Sequence, residues 1–532
     1  MKKIKILTTL IFFTLFLRTT LAQYPEIVWQ QCYGGSDFDY FLNADILLLE
    51  DGYAFISTTF SNDGQVSNFH GNTDIWFVRT DFDGNIVFER CYGGSNFDYS
   101  HRLISSNDGG FILVGATASN DGDVTISNGG LDYWVINIDF TGNIIWQKCY
   151  GGSAFDEPYD IIVTDNNEFI INGFTGSYDG DVSYNNGTYD MWVINIDQQG
   201  TLLWEKCFGG SIADKGYLIN RTDDGGYLLG GNVSSTDGNV TCTTHGGFDA
   251  WLIKLSSGME VEWQKCYGGT YDDNFLKIIN NNNGFMLAGL TGSNDGDVSG
   301  FHGTPGDNPD IWLAKVNETG ELQWQRCLGG WGYETMGNLT INEQNEIFFI
   351  GYSDSQTEDL QGCNHQTGYP PSFDGWVVKL SAEGETIWSR CLGSDVVQVA
   401  FDAVFPSENY LTVLGGTAPV YSGWEVNCDL HGQYDVWLVE LADTLTTTNE
   451  YLLYDEINVY PNPAKDYVVF ETSESGINGT VVLMNVFGEE IVKKELSVGK
   501  TVFDIRGIES GVYFYKIETE NNFYSGEIVI LK

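Results

Sequence analysis

The 532-residue chain carries 73 acidic against 25 basic residues, a formal charge of -48, which disfavours nucleic acid and anionic membrane surfaces and leaves cations or neutral ligands as partners. Hydrophobic residues at 42% and aromatics at 14% exclude a disordered acidic chain, so the charge sits on a folded protein. The 64 glycines against 10 prolines predict many tight turns.

In chain order, the first element is MKKIKILTTLIFFTLFLRTTLAQ. A basic start at Lys2, Lys3 and Lys5, an apolar run from Ile6 to Leu17 and a small residue at Ala22 before Gln23 have the layout of a secretory signal peptide over residues 1-22, with cleavage between Ala22 and Gln23. No later segment is apolar enough to span a bilayer, so the mature chain is expected to be exported without a transmembrane segment.

Next, seven copies of one unit run in step. Trp-x-x-Cys recurs as WQQCYGGSDFD at Trp29, WQKCYGGSAFD at Trp146 and WQKCYGGTYDD at Trp263, with cysteines at Cys32, Cys91, Cys149, Cys207, Cys266, Cys327 and Cys391. Three further elements keep the beat: a glycine-flanked apolar run such as DGGFILVG, an acidic turn such as SNDGDV, and Asp-x-Trp followed by alternating apolar residues at Asp74, Asp132, Asp190, Asp249, Asp310, Asp374 and Asp435. Each unit reads as four short strands rich in Val, Ile, Trp, Phe and Tyr, bounded by Asn, Asp and Gly.

Radially repeated four-stranded units predict a β-propeller. The expected fold is all-β: a seven-bladed β-propeller of four-stranded blades over residues 24-443, a linker over 444-456, and a small C-terminal β-sandwich over 457-532. The chain starts on a fourth strand and the last unit ends on a third, so the N-terminal strand is expected to complete the last blade and close the ring non-covalently.

Several repeated residues have chemistry to offer. Asp39, Asp98, Asp156, Asp214, Asp273 and Glu334 follow the Gly-Gly segment at matched spacing and are expected to ring one face, as turn caps or as a ligand site. Asp121 with Asp123, Asp179 with Asp181 and Asp295 with Asp297 place hard oxygen ligands two residues apart around a glycine, which suits Ca²⁺ as well as a plain hairpin turn; no cofactor is required. His70, His245, His302, His365 and His431 share one inter-strand loop. In that loop Cys363 and Cys428 of adjacent units are a candidate disulfide or, with their histidines, a zinc site; partly buried thiols are the plain reading. The seven beat cysteines would lie about 17 Å apart at roughly 20 Å radius, beyond the ~7 Å a disulfide spans, and read as packing residues. Trp331 and Trp424 have no counterparts in the other copies and are candidate ligand-binding aromatics, or locally repacked loops.

After the linker, the tail carries Tyr460-Pro461-Asn462-Pro463, a hairpin at Gly488, Gly511-Val512-Tyr513 and a basic end at Lys532. This order resembles the type A sorting domain of the type IX secretion system of Bacteroidota. The resemblance implies Sec export, passage through the outer membrane by the type IX machinery, and a secreted or surface-attached product whose tail is removed or exchanged for an anchor. The repeats, over roughly residues 27 to 443, are similar to the secreted bacterial β-propeller (SBBP) repeat family, which implies a propeller and export and carries no single activity. The expected function is a non-enzymatic binding or adhesion scaffold for an extracellular glycan, peptide or matrix protein. The alternative is a polysaccharide hydrolase or lyase using carboxylates on a propeller face, with no catalytic residues assigned.

Overall fold

The computed structural model describes residues 25–40, 44–107, 109–281, 284–355, 359–360, 373–393, 397–419, 426–443, 457–460, 464–472, 479–485, 490–496, 500–519 and 523–531. The signal segment with Ala22 and Gln23, the linker, Cys363, His365, Trp424, Pro461, Asn462, Pro463 and Lys532 lie outside them. The chain divides into two compact units, Met1–Thr444 and Leu445–Lys532. Both are all-β, and no helix among the described residues is long and apolar enough to cross a membrane.

The first unit contains seven four-stranded antiparallel sheets, each packed on the next in chain order and the seventh on the first. This fits the blades of a propeller. In the second sheet the strands run Asp98–Ser105, Phe111–Thr117, Asp132–Ile138 and Ile144–Tyr150 from the innermost outward. The two middle strands are buried along their whole length, because neighbouring sheets cover both faces; hence the continuous apolar stretches FILVGA and YWVI within FILVGAT and DYWVINI.

The seventh sheet is Gln398–Ser407, Tyr410–Thr417 and Asp435–Ala442, and its fourth strand is the N-terminal Glu26–Tyr33, paired antiparallel to Asp435–Ala442. One buried cluster then spans the seventh and first sheets, joining Tyr33, Leu414, Val436 and Leu438 to Ile46, Phe55, Trp76 and Val78.

The motif Trp-x-x-Cys-Tyr is explained by pairing across the outer strands. The Asp-x-Trp tryptophans are all buried, and six find an indole acceptor on the fourth strand: Trp134 Nε1 donates to Gln147 Oε1 at 2.9 Å and Trp76 Nε1 to Glu89 Oε2 at 2.9 Å. The cysteine sits directly opposite that tryptophan, as Cys149 does Trp134. The tyrosine after it reaches the hairpin of the next sheet: Tyr92 Oη donates to the Gly142 carbonyl at 2.6 Å and Tyr267 Oη to that of Gly320 at 2.5 Å.

The second unit has a three-stranded sheet of Ile457–Tyr460, Tyr467–Thr472 and Lys500–Asp504, and a four-stranded sheet of Gly479–Met484, Glu490–Leu496, Gly511–Thr519 and Phe523–Ile530. Val468, Phe470, Val481, Leu483, Phe503 and Ile528 form its core. Of the sorting motif, Tyr460 Oη accepts from Lys500 Nζ at 2.7 Å, Gly511 opens a strand and Tyr513 Oη donates to the Glu509 carbonyl at 3.1 Å.

Candidate functional site

Two sets of acids meet where one sheet hands over to the next. The acid that follows each Gly-Gly opens an innermost strand, or precedes it in the case of Asp39, and ties its turn to the second strand: Asp98 accepts from Gly94 N at 2.8 Å, Ser119 Oγ at 2.8 Å and Thr117 Oγ1. Asp39, Asp156 and Asp273 repeat the set. Among the described residues six of the Asp-x-Trp acids cap the loop before them, Asp190 Oδ2 accepting from Asn186 N at 2.8 Å. In Asp74, Asp132, Asp190, Asp249 and Asp310 the second oxygen, Oδ1, is buried without a hydrogen-bond partner among the described residues. It faces the first glycine of the pair. A Cβ built on Gly151 would stand 2.4 Å from Asp132 Oδ1 and 2.6 Å from Asp156 Oδ2, so only glycine fits between the two carboxyls.

Burial dominates the electrostatics of these acids and disfavours their charged form. It pushes Asp39 and Asp98 up to about 6 against the hydrogen bonds they accept, and Asp132 and Glu334 up to about 7. Of the expected roles, turn-capping is the one these hydrogen bonds support, whereas an open ligand-binding ring is corrected: the side chains are enclosed at the junctions between sheets.

The acidic turns cap the same junctions. Asp121 Oδ1 accepts from Ser95 N at 2.7 Å, Asp179 Oδ1 from Ser153 N at 2.7 Å and Asp295 Oδ1 from Thr270 N at 2.8 Å. Asp181 Oδ2 accepts from Gly151 N at 3.2 Å and Asp297 Oδ2 from Gly268 N at 3.3 Å, while Asp123 Oδ2 lies 3.8 Å from His70 Nε2. Among the described residues no group of three or more His, Cys, Asp or Glu is arranged to hold a metal ion. The loop histidines pair with the Asp-x-Trp acids: His70 Nδ1 is 2.7 Å from Asp74 Oδ2, His302 Nδ1 2.8 Å from Asp310 Oδ2 and His431 Nδ1 3.0 Å from Asp435 Oδ2.

The expected Cys363–Cys428 bridge is overturned: Cys428 is bonded to Cys32, Cα atoms 5.5 Å apart, across a sequence separation of 396. The zinc alternative built on Cys428 falls with it, and so does the non-covalent closure. The physical reason is local. The loop before the third strand lies over the outer strand of its own sheet, and the outer strand of the seventh sheet comes from the N-terminus. Cys242 bonds Cys266 in the same way, across a separation of 24, and Cys391 is disulfide-bonded too. Three of the seven beat cysteines are therefore bridged, whereas Cys91, Cys149, Cys207 and Cys327 are free. Burial pushes these thiols up, away from thiolate chemistry.

A cavity of about 230 Å³ runs between the innermost strands of the first unit. Its lining comes from a feature that repeats in six sheets: the innermost strand carries a bulge that leaves His101, Tyr159, Tyr217, Leu276, Gly337 and Phe401 outside the ladder. All six line the cavity. A bulge re-aims a side chain that the pleat would otherwise place elsewhere. The residues just after the bulges add charge. Arg102 forms ion pairs through Nη1 with Asp45 Oδ1 at 3.1 Å and through Nε with Asp160 Oδ1 at 3.1 Å. Each carboxyl also accepts from the next sheet's backbone: Asp45 from Leu103 N at 2.6 Å, Asp160 from Ile219 N at 3.0 Å and Asp402 from Ile46 N at 3.2 Å. Burial lowers His101 to about 3, so the imidazole is neutral.

A second feature lies on the outside. In five consecutive junctions the loop between an outer strand and the next innermost strand exposes large apolar side chains: Phe97, Phe155, Ile212, Tyr271, then Trp331 with Tyr333, each 38% to 72% exposed. Trp331 is the most exposed of them at 72%. Sequence reasoning singled out Trp331 for its uniqueness and missed the other five. Their signal was a large apolar residue within the three positions after each Gly-Gly.

Comparison with solved structures returns remote likenesses. A mutant of Synechocystis apocarotenoid oxygenase is 14% identical, with 68% of this chain and 76% of that chain covered and a TM-score of 0.35. A Bacteroides fragilis protein assigned as a 6-phosphogluconolactonase is 12% identical, with 70% and 92% covered and a TM-score of 0.37. At these scores neither bears on the activity of this chain. Among curated proteins none matches significantly. Residues 458–531 match the family of secretion system C-terminal sorting domains, so the chain carries a type IX sorting tail that directs it to the cell surface or the extracellular space.

Proposed function

We propose that the chain is an exported seven-bladed β-propeller, of the SBBP-repeat kind and from the Bacteroidota, that binds an elongated neutral glycan. The signal segment hands it to Sec and the tail to the type IX machinery. The observation that carries the binding role is the recurrence of an exposed apolar side chain at the matched position of five successive junctions, from Phe97 to Tyr333, a series of mostly aromatic faces that can stack on one extended ligand. Aromatic faces stack on the C–H faces of sugar rings. The acidic turns at Asp121, Asp179, Asp237 and Asp295 bond to the same loops, and so disfavour polyanions and leave carboxylates to accept from hydroxyl groups. A binding role is favoured over hydrolysis because the cavity carboxylates Asp45, Asp160 and Asp402 are engaged with Arg102 or backbone N–H groups.

Retardation in gels containing neutral polysaccharides tests this. Trp331→Ala is expected to weaken retardation about 30-fold, or about 2 kcal/mol for an aromatic anchor, with unchanged melting because the side chain is exposed. Binding to no neutral glycan, or wild-type binding by both Trp331→Ala and Phe155→Ala, would remove the reading. The address is tested separately. A periplasmic reporter fused to residues 444–532 is expected outside a cell that has the type IX machinery, and periplasmic retention contradicts it.

A further inference from the structure

Lys277 stands apart from the other charges of the axial cavity. It follows the bulged Leu276 on the innermost strand of the fifth sheet, opposite Ala288, and lines the cavity. Among the described residues its amine makes no hydrogen bond and no ion pair, whereas Arg102 on the same wall is doubly paired. Burial, and next the Arg102 cation, disfavour its charged form; Asp160, Asp402 and Asp45 oppose them and do not prevail. The other titratable groups of the wall are His101, Tyr159, Tyr217 and Tyr352. His101 is neutral, and burial holds the three phenols protonated.

An unpaired amine that faces a cavity and whose charged form is disfavoured by burial is a candidate nucleophile. We propose that Lys277 captures a small neutral aldehyde or ketone in the axial cavity as a reversible imine. The nitrogen lone pair attacks the carbonyl carbon and forms the C–N bond, and a proton passes from nitrogen to the oxygen to give a carbinolamine. Loss of that oxygen as water, with the second nitrogen proton, leaves C=N. Amine and carbonyl compound thus yield imine and one water with no oxidant or reductant. A neutral carbonyl compound fits better than an anion, because Asp45, Asp160 and Asp402 outnumber Arg102 around the cavity and an added anion would face them uncompensated. About 230 Å³ equals roughly seven or eight waters at ~30 Å³ each, which suits a compound of a few carbons.

The test is incubation of the full chain with propanal and cyanoborohydride, which reduces the imine to a stable propylamine, followed by peptide mapping. Lys277 is expected to be propylated at neutral pH several-fold faster than surface lysines, since burial disfavours its charged form and so raises its neutral fraction. Lys277→Arg keeps the cation and is expected to lose this fast phase without a change in melting. If that variant fails to fold, the wild-type pH profile decides: the Lys277 rate is expected to level off below the ordinary lysine value of about 10.4. Labelling at the surface-lysine rate, or a profile matching free lysine, overturns the proposal. Trp331→Ala leaves this labelling untouched, so failure here and failure of the glycan reading are distinguishable.

Discussion

Replacing Cys32 and Cys428 with serine is expected to destabilise the first unit by about 6 kcal/mol on loop-closure entropy, just beyond the upper end of the contributions that native disulfides make. The bond holds the N-terminal strand to the last sheet across a separation of 396 residues. Loop-closure entropy grows with the logarithm of that length. The Cys242–Cys266 bond, with a separation of 24, supplies the internal control: its loop accounts for about 3.5 kcal/mol by the same relation. Calorimetry of the two serine pairs, with and without reductant, should give the lower melting temperature to the pair that includes Cys32. Melting of the Cys32→Ser/Cys428→Ser chain at the wild-type temperature would show that strand pairing alone closes the unit. Deleting residues 24 to 35 removes both the bond and the strand Glu26–Tyr33 and is expected to cost more than either serine pair.

The second large effect is an unusual dependence on pH. The junction carboxyls bind their protons more tightly when folded: Asp39, Asp98, Asp190 and Asp249 are pushed up to about 6 and Asp132 and Glu334 up to about 7, burial being the largest cause in each. The folded chain then carries more protons than the unfolded chain between about pH 4 and pH 7, so stability falls as pH rises through that window. The stabilisation is complete below the ordinary carboxyl value and is lost as the folded groups ionise. Relief of the repulsion in a chain of net charge -48 acts in the same direction. Below about pH 4 the exposed turn acids reverse the trend, since hydrogen bonds hold Asp139 and Asp224 down at about 2. Melting curves from pH 4 to 8 are expected to peak near pH 5. A maximum at pH 7 or above would mean that the paired junction acids are ionised at no cost.

The periodic part of this architecture was readable because it rests on local rules. Alternating and continuous apolar runs gave the strands, Asn, Asp and Gly gave the turns, and the offset between the first and last units gave the strand exchange. What escaped had no local signature. From the sequence Cys428 is matched with Cys363 and Cys32 reads as a packing residue, because pairing Cys428 with Cys32 requires knowing that the loop covers the outer strand of its own sheet. The junction acids looked like a surface ring, since nothing in GGSxFD reveals that the next sheet closes over them. The bulges escaped because the residue they eject is different each time: His101, Tyr159, Tyr217, Leu276, Gly337 and Phe401 share no chemistry.

That diversity has a consequence for how such a protein can change. Inside each sheet almost every position is committed twice, to its ladder and to the sheet beside it, and a substitution there is felt by both neighbours. The bulged residue is released from the ladder and lines the cavity, so an exchange there spares the ladder, except at Gly337, where a Cβ would stand 2.3 Å from the Phe401 carbonyl oxygen. Six such positions converge on one chamber of about 230 Å³. The repeats thus keep a common frame and a variable interior in the same strands.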